Sequence, residues 1–253
     1  MRFRLDTLYW AVFLAMVAVL NVLVAGLLLR EGLRVLAMLY AWSAASLFAV
    51  VGLYLQVVRG SNPGPVLKGW RHPWLQPLLL PFRAVSLLVW AVARRLRREP
   101  FTAVSEGLWL GARPFSHEAE VLRAQGVGAV LDLVSELPSG EVFGREPFAR
   151  RVVPLLDRTM PTEPEFDDAV AWAVGQLTEG RGLLVHCAFG RGRSALLTAA
   201  IVYARGLAPS AEGALAVVSR ARPFVRLRPD QREALERFTA RWSLRGAQAL
   251  GPP

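Results

Sequence analysis

His186-Cys187-Ala188-Phe189-Gly190-Arg191-Gly192-Arg193-Ser194 is the stretch whose reading decides how this chain folds. A short apolar run, Leu183-Leu184-Val185, precedes it and reads as a buried strand ending at His186. Residues 193–205 behind it read as a helix. A loop between a strand and a helix gathers backbone N–H groups at the positive end of the helix dipole. Gly190 and Gly192 let that backbone curl so that successive N–H groups point inward. Cys187 opens the loop and Arg193 closes it, with five residues between them. A phosphate in such a cradle receives backbone donors around its equator and a two-point contact from the guanidinium. The sulfur then lies beneath the phosphorus, placed for in-line attack.

The same field acts on the cysteine. A thiolate ringed by N–H donors, near an arginine and at a helix N-terminus, has a depressed pKa and becomes a nucleophile. Ser194 can donate a hydrogen bond to the sulfur and help it leave again. His186 stiffens the loop from beneath. Ala188, Phe189, Gly190, Arg191, Gly192 and Arg193 are the residues that would surround the anion, with Arg191 either meeting substrate or facing solvent. Cys187 is the only cysteine, so the chain has no internal disulfide and no cysteine-based zinc site. No metal and no cofactor is expected.

A leaving group needs a proton. Asp157, in Leu155-Leu156-Asp157-Arg158-Thr159, lies 187 − 157 = 30 residues before the cysteine. A loop, one helix and one strand fill that gap, so both residues can meet at one sheet edge. There a carboxylic acid could protonate the departing oxygen and then deprotonate the attacking water. Asp167 and Asp168 fall inside the predicted helix and are assigned to its solvent face or N-terminal dipole.

Around these residues, strands alternate with helices. Strands are predicted at residues 107–111, 127–134, 151–156 and 183–186. Helices are predicted at 116–125 with Ser116 as cap, at 162–179 with Thr162 as cap, and at 193–205, 210–220 and 229–244. Residues 136–147 read as a loop and 246–253 as a frayed tail. This pattern predicts an α/β domain at residues 99–245 with a mixed, mainly parallel sheet flanked by helices. Trp109 reads as core and His117 as a helix-start surface residue. Arg222, Arg226 and Arg228 read as a solvated basic face, with part of a basic rim as the alternative.

The chain has 253 residues, is 53% hydrophobic and has a mean hydropathy of +0.33. The apolar surplus lies in residues 1–98. Two runs, 8–29 and 33–58, are long enough to cross a bilayer, which takes about 20 residues. The short turn between them predicts an antiparallel transmembrane hairpin. A loop at 59–73 leads to a third apolar stretch, 74–93, which holds Pro77, Pro81 and Arg83. It reads either as a third, kinked span or as an interfacial helix. With two spans, Arg2, Arg4, Lys68, Arg94, Arg95, Arg97 and Arg98 share one side. The positive-inside rule then puts the N-terminus and the catalytic domain in the cytoplasm. Net charge is +10, and Lys68 is the only lysine. That excess suits anionic substrates or an anionic membrane surface, or reflects an arginine-rich genome. No basic stripe interleaved with aromatics is present, so nucleic acid is not expected as a partner.

The segment from His186-Cys187 to Arg193-Ser194 resembles the signature of the dual-specificity branch of the cysteine-dependent protein tyrosine phosphatase superfamily. Gly107-Leu108-Trp109-Leu110-Gly111 looks like the opening strand of that branch, Asp157 matches its general-acid position, and Arg222-Pro223 with residues 231–238 looks like its C-terminal end. The resemblance covers residues 102–242. It implies a tyrosine-phosphatase-like fold and a metal-free cysteinyl-phosphate mechanism. Catalytic roles then fall to Cys187, Arg193, Asp157, Ser194 and His186. The N-terminal hairpin suggests membrane-attached bacterial members, similar to phosphatidylglycerophosphate phosphatases of the inner membrane. Branch members act on phosphoproteins or on phospholipids. Lipid-acting types carry a basic residue directly after the cysteine and another before the final Gly/Ser-Arg. Arg191 matches the second, while Ala188 stands at the first. A phospholipid monophosphate is the expected substrate. A phosphoprotein is the alternative, and a non-catalytic phosphate-binding module a further one.

Overall fold

The computed structural model describes residues 2–59, 75–96, 100–137 and 148–249. The expectations for residues 60–73, Arg97, Arg98, 138–147 and 250–253 lie outside them. The chain divides into two compact units, Met1–Val89 and Trp90–Pro253.

In the first unit, α1 (Arg2–Arg30) and α2 (Arg34–Val58) are joined through a tight turn in which Gly32 has φ +76°. Small residues seven apart make the buried seam: Ala11, Ala18 and Ala25 on α1, Ala37 and Ala44 on α2. Larger apolar side chains such as Phe13, Met16, Leu20, Leu23, Leu36 and Leu39 are exposed. Leu14, Leu53 and Tyr54 are buried beside these alanines, and a seam with alanines every seventh residue and many large apolar side chains outside suits a helix pair packed in lipid. The third stretch is a helix, α3 (Gln76–Arg95), with Pro81 inside it; its residues from Trp90 on belong to the second unit. Proline lacks an N–H, so the carbonyl four residues earlier loses its helical donor. That carbonyl belongs to Pro77, and Trp42 Nε1 donates to it at 2.8 Å. Ser46 Oγ accepts from the Phe82 N–H at 3.4 Å. Such repairs by neighbouring side chains are what hydrocarbon requires of a proline-containing helix. All three helices are long and apolar enough to cross a membrane.

The second unit is the α/β domain. Its sheet runs β1 (Phe101–Ser105), β2 (Leu108–Ala112), β5 (Gly182–Cys187), β3 (Val127–Val134), β4 (Ala149–Leu155) in spatial order. Only the β1–β2 pair is antiparallel. β1 had no sequence prediction: five residues at an edge, four of them only half-buried, carry a weak alternation signal. Side chains alternate across the sheet. Leu183, Val185 and Cys187 of β5 face the main core with Leu131 and Leu133 of β3. Leu184 and Val130 face a smaller cluster closed by Leu122.

That smaller cluster is covered by α4 (Ala119–Ala124). A 3₁₀ turn at Ser116–Glu118 precedes α4. Ser116 does not cap it; the Glu118 carboxylate accepts the Phe115 N–H at 2.7 Å. On the main core side lie α5 (Glu163–Thr178), α6 (Arg193–Ala204), α7 (Ala211–Ala221) and α8 (Pro229–Ala249). Thr162 caps α5 with a reciprocal Glu165 contact, as its sequence signature predicts. α8 continues through Ala249, past the predicted fraying point. Asp167 is not on a solvent face. It is 5% exposed and receives Arg241 and Arg245 of α8 at 3.0 and 2.7 Å. Asp168 is exposed and pairs with Arg151.

Candidate active site

The loop leaves the C-terminal end of β5 and enters α6, as the sequence predicts. Ligand sites of parallel sheets sit at this end of the strands. Cys187 Sγ is 3.2 Å from Ser194 Oγ and accepts the Gly190 N–H at 3.3 Å. Burial alone would raise the thiol pKa. The Arg193 charge, the Ser194 hydroxyl and the N–H groups of Ser194 and Arg191 outweigh it, so the thiol lies below its ordinary value.

The curl depends on carbonyls held from outside. Arg222 Nε donates to the Gly190 carbonyl at 3.0 Å, the Arg226 N–H to that of Arg191 at 3.3 Å, and the Arg113 N–H to that of Ala188 at 3.4 Å. In a trans peptide the C=O and the next N–H point in opposite directions. Tying these carbonyls outward therefore turns the N–H groups of Arg191, Gly192 and Phe189 inward. Gly190 has φ +66°, and a Cβ there would meet the Gly111 carbonyl carbon at 2.5 Å. No other residue fits between the loop and β2.

Arg222 is therefore not part of a solvated face. It is 1% exposed, and its Nη1 also bonds Thr102 Oγ1 at 2.9 Å. Arg226 and Arg228 line the cleft. Arg228 is held by Asp230 and donates to the Arg158 carbonyl at 3.1 Å. Arg158 has φ +60°, a turn conformation that sits directly after Asp157.

Arg193 is 3% exposed and meets Glu136 with two bonds, Nη2–Oε1 at 2.6 Å and Nη1–Oε2 at 3.0 Å. Nη1 also donates to the Leu155 carbonyl at 2.6 Å. Burial would lower the Arg193 pKa, but Glu136 and Asp157 more than reverse this and keep the guanidinium charged. Glu136 had been assigned only to a loop. A single carboxylate in a polar stretch carries no signal of its own, and a distant ion pair is invisible to local patterns. Glu136 makes no bond to Nε, and Nη2 keeps a second hydrogen besides the one it gives Oε1. Asp157 Oδ1 is 3.4 Å from Nη2, and the Asp157 side chain is 51% exposed.

Beneath the loop, His186 faces the opposite side of the sheet and is 1% exposed. It lies beside Asp132 in the β3–β5 register, with Nε2 3.7 Å from Oδ1. Burial lowers its pKa to about 4, against a smaller opposing effect of Asp132, so the ring is neutral. Asp132 accepts from the Val134 N–H at 3.0 Å and from Arg150 Nη2 at 2.6 Å. His117 is exposed and stacked on Phe115, and Trp109 is half-buried in the small cluster.

Asp157, Cys187, Phe189, Arg191, Arg193, Arg226 and Arg228 share one open cleft of about 610 Å³, whose other lining residues include Phe224 and Gln231. The structure thus brings Cys187, Arg193, Ser194 and Asp157 together and sets His186 behind them. Among the described residues no cluster of His, Cys, Asp or Glu could hold a metal ion.

A five-stranded sheet carrying such a loop at the end of β5 has the fold of the cysteine-dependent tyrosine phosphatases. Over part of its length the chain is similar to the dual-specificity-phosphatase-like part of the tyrosine phosphatase superfamily. Residues 106–206 match a family profile described as "Tc-R-P: Polymorphic toxin system, DSP-PTPase phosphatase". Human "Dual specificity protein phosphatase 12" is 39% identical over 104 residues, 38% of this chain. The match spans 29% of that relative's length. Among solved structures, Tk-PTP in its active form is 28% identical with a TM-score of 0.52, over 57% of this chain and 99% of that one. PTPMT1 shares the fold at 22% identity and a TM-score of 0.53, over 58% and 99%.

Proposed function

We propose that this chain is a membrane-anchored phosphatase that hydrolyses a phospholipid monophosphate through a phosphocysteine intermediate. Residues 1–98 form its membrane region and residues 99–245 its cytoplasmic catalytic domain. The Cys187 thiolate attacks phosphorus in line, and the bond to the leaving oxygen breaks as Asp157 gives that oxygen its proton. The Asp157 carboxylate then takes a proton from water, whose oxygen attacks the phosphocysteine. The P–S bond breaks, the electron pair returns to sulfur, and Ser194 donates a hydrogen bond to it. Arg193 holds the equatorial oxygens through Nε and the second hydrogen of Nη2, since Nη1 is engaged by Glu136 and Leu155 and the other Nη2 hydrogen by Glu136. Phosphate at that edge displaces Asp157 from Arg193 and frees it to act as the acid.

The observation that carries the lipid reading is the run of three helices of membrane-spanning length directly before the domain. A tether this short keeps lipid substrate at high effective concentration. The cleft also suits an anionic head group: Arg191 and Arg226 line it without a carboxylate partner among the described residues. PTPMT1, of like fold, has been solved with PI(5)P. The name of the human relative favours a second reading, a dual-specificity protein phosphatase. Bilayer-reconstituted protein assayed with chelator present, on lipid monophosphates and on phosphopeptides, separates the two. The first reading expects a kcat/KM at least about tenfold higher for a lipid. The reverse preference establishes the second. Phosphate binding without turnover of either would leave only a binding module.

A further inference from the structure

We infer that Trp90, in the last turns of α3, is a positioning residue for the catalytic loop, an inference that rests on the phosphatase reading above. Along this helix the large apolar residues Val85, Leu88, Val89 and Val92 are exposed, yet Trp90 is 3% exposed. It belongs to the second unit and packs in a cluster with Val134, Leu137 and Ala188, with Phe189 at its edge. Ala188 and Phe189 are the first two loop residues after the cysteine. Trp90 therefore backs the start of the loop from outside the family-matched residues 106–206.

The contact reaches the loop's backbone through Arg113. The Arg113 guanidinium lies over the Trp90 ring, 4.8 Å from its centroid. Its backbone N–H holds the Ala188 carbonyl outward, which aims the Phe189 N–H into the cradle. Arg94, one turn beyond Trp90, donates from Nε to the Arg113 carbonyl at 3.2 Å and from Nη2 to Glu118 at 2.5 and 2.7 Å. Phe115 also packs against the indole, with ring centroids 4.6 Å apart. Arg222 and Arg226 orient the later loop peptides; the first is oriented from the α3 side. The indole N–H is buried without a partner among the described residues, so the ring surface carries the contact. Phenylalanine can replace it in that role, and alanine cannot.

Trp90→Ala, Trp90→Leu and Trp90→Phe in the full chain test this. Two readouts are needed: kcat on an aryl phosphate per alkylatable Cys187, and protection of Cys187 from iodoacetamide by inorganic phosphate. A misaimed N–H weakens anion binding by about tenfold, the scale of one hydrogen bond to a charged group. The expected result is weaker phosphate protection and lower kcat in Trp90→Ala, with Trp90→Phe close to the parent. Trp90→Leu supplies the apolar comparison if the alanine variant does not fold. Unchanged protection and unchanged kcat per active site in the alanine or leucine variant, whatever its thermal stability, overturn the inference. Phosphate protection needs no turnover. Failure of the parent to hydrolyse any monoester is therefore a separate result, and it strikes the phosphatase reading instead.

Discussion

Arg193 and Glu136, 57 residues apart, form a buried two-point ion pair at 2.6 and 3.0 Å. The pair fixes the guanidinium plane and leaves its side edge toward the cleft. Breaking a buried pair by removing one partner costs about 3–5 kcal/mol, because the other charge is left uncompensated. Glu136→Ala should therefore lower thermal stability and raise KM for an aryl phosphate at least about tenfold. A variant with parental KM would show that Arg193 needs no such brace.

Cys187 should react as a thiolate well below the pH at which a free thiol does, because Arg193, Ser194 and the loop N–H groups more than offset its burial. Iodoacetamide rates against pH measure this directly. Ser194→Ala removes one donor to the sulfur and should move the profile upward. Cys187→Ser should abolish turnover yet still bind orthovanadate.

Asp157 sits at the mouth of the cleft beside Arg193. If it protonates the leaving oxygen, Asp157→Asn should slow poor leaving groups by about 10²–10⁴-fold and good ones much less. A leaving-group series measures the difference. Equal losses across the series would move the acid elsewhere.

His186 makes stability depend on pH in a stated direction. Its folded pKa, about 4, lies below the unfolded value of 6.5, so between these values the unfolded chain binds more protons. Its contribution is complete above pH 6.5 and is lost as pH falls toward 4. The loss is on the order of 3 kcal/mol at most. Thermal unfolding in detergent from pH 7 to 4 should show the decline, and His186→Gln should flatten it. A parallel decline in both proteins would assign it to other groups.

Much of the domain was legible before the fold was known. The loop was readable because its chemistry is local: strand, cysteine, two glycines, arginine and helix follow one another within a few residues. α5 was readable from Thr162, whose side chain satisfies one of the helix's first N–H groups whatever surrounds it. β1 was not, since an edge strand with half-buried side chains resembles a linker. Ser116 looked like a cap, but it lies inside a 3₁₀ turn that starts after Phe115, whose N–H Glu118 accepts. Arg222 looked like a surface residue, as most arginines are. Its burial depends on Gly190 and Thr102, which arrive from two distant parts of the chain, with Phe224 two residues on packed over the guanidinium.

The sequence alone carried the phosphate-loop motif and the apolar N-terminal helices, because both are written in contiguous residues with a fixed period or spacing. Tertiary structure decided what holds the loop in shape. Glu136 fixes Arg193, Arg222 and Arg113 turn the loop carbonyls outward, and Trp90 backs Ala188. None of these pairs is near in sequence. Their partners are chosen by strand order and by which carbonyl faces outward, which the packed sheet alone specifies.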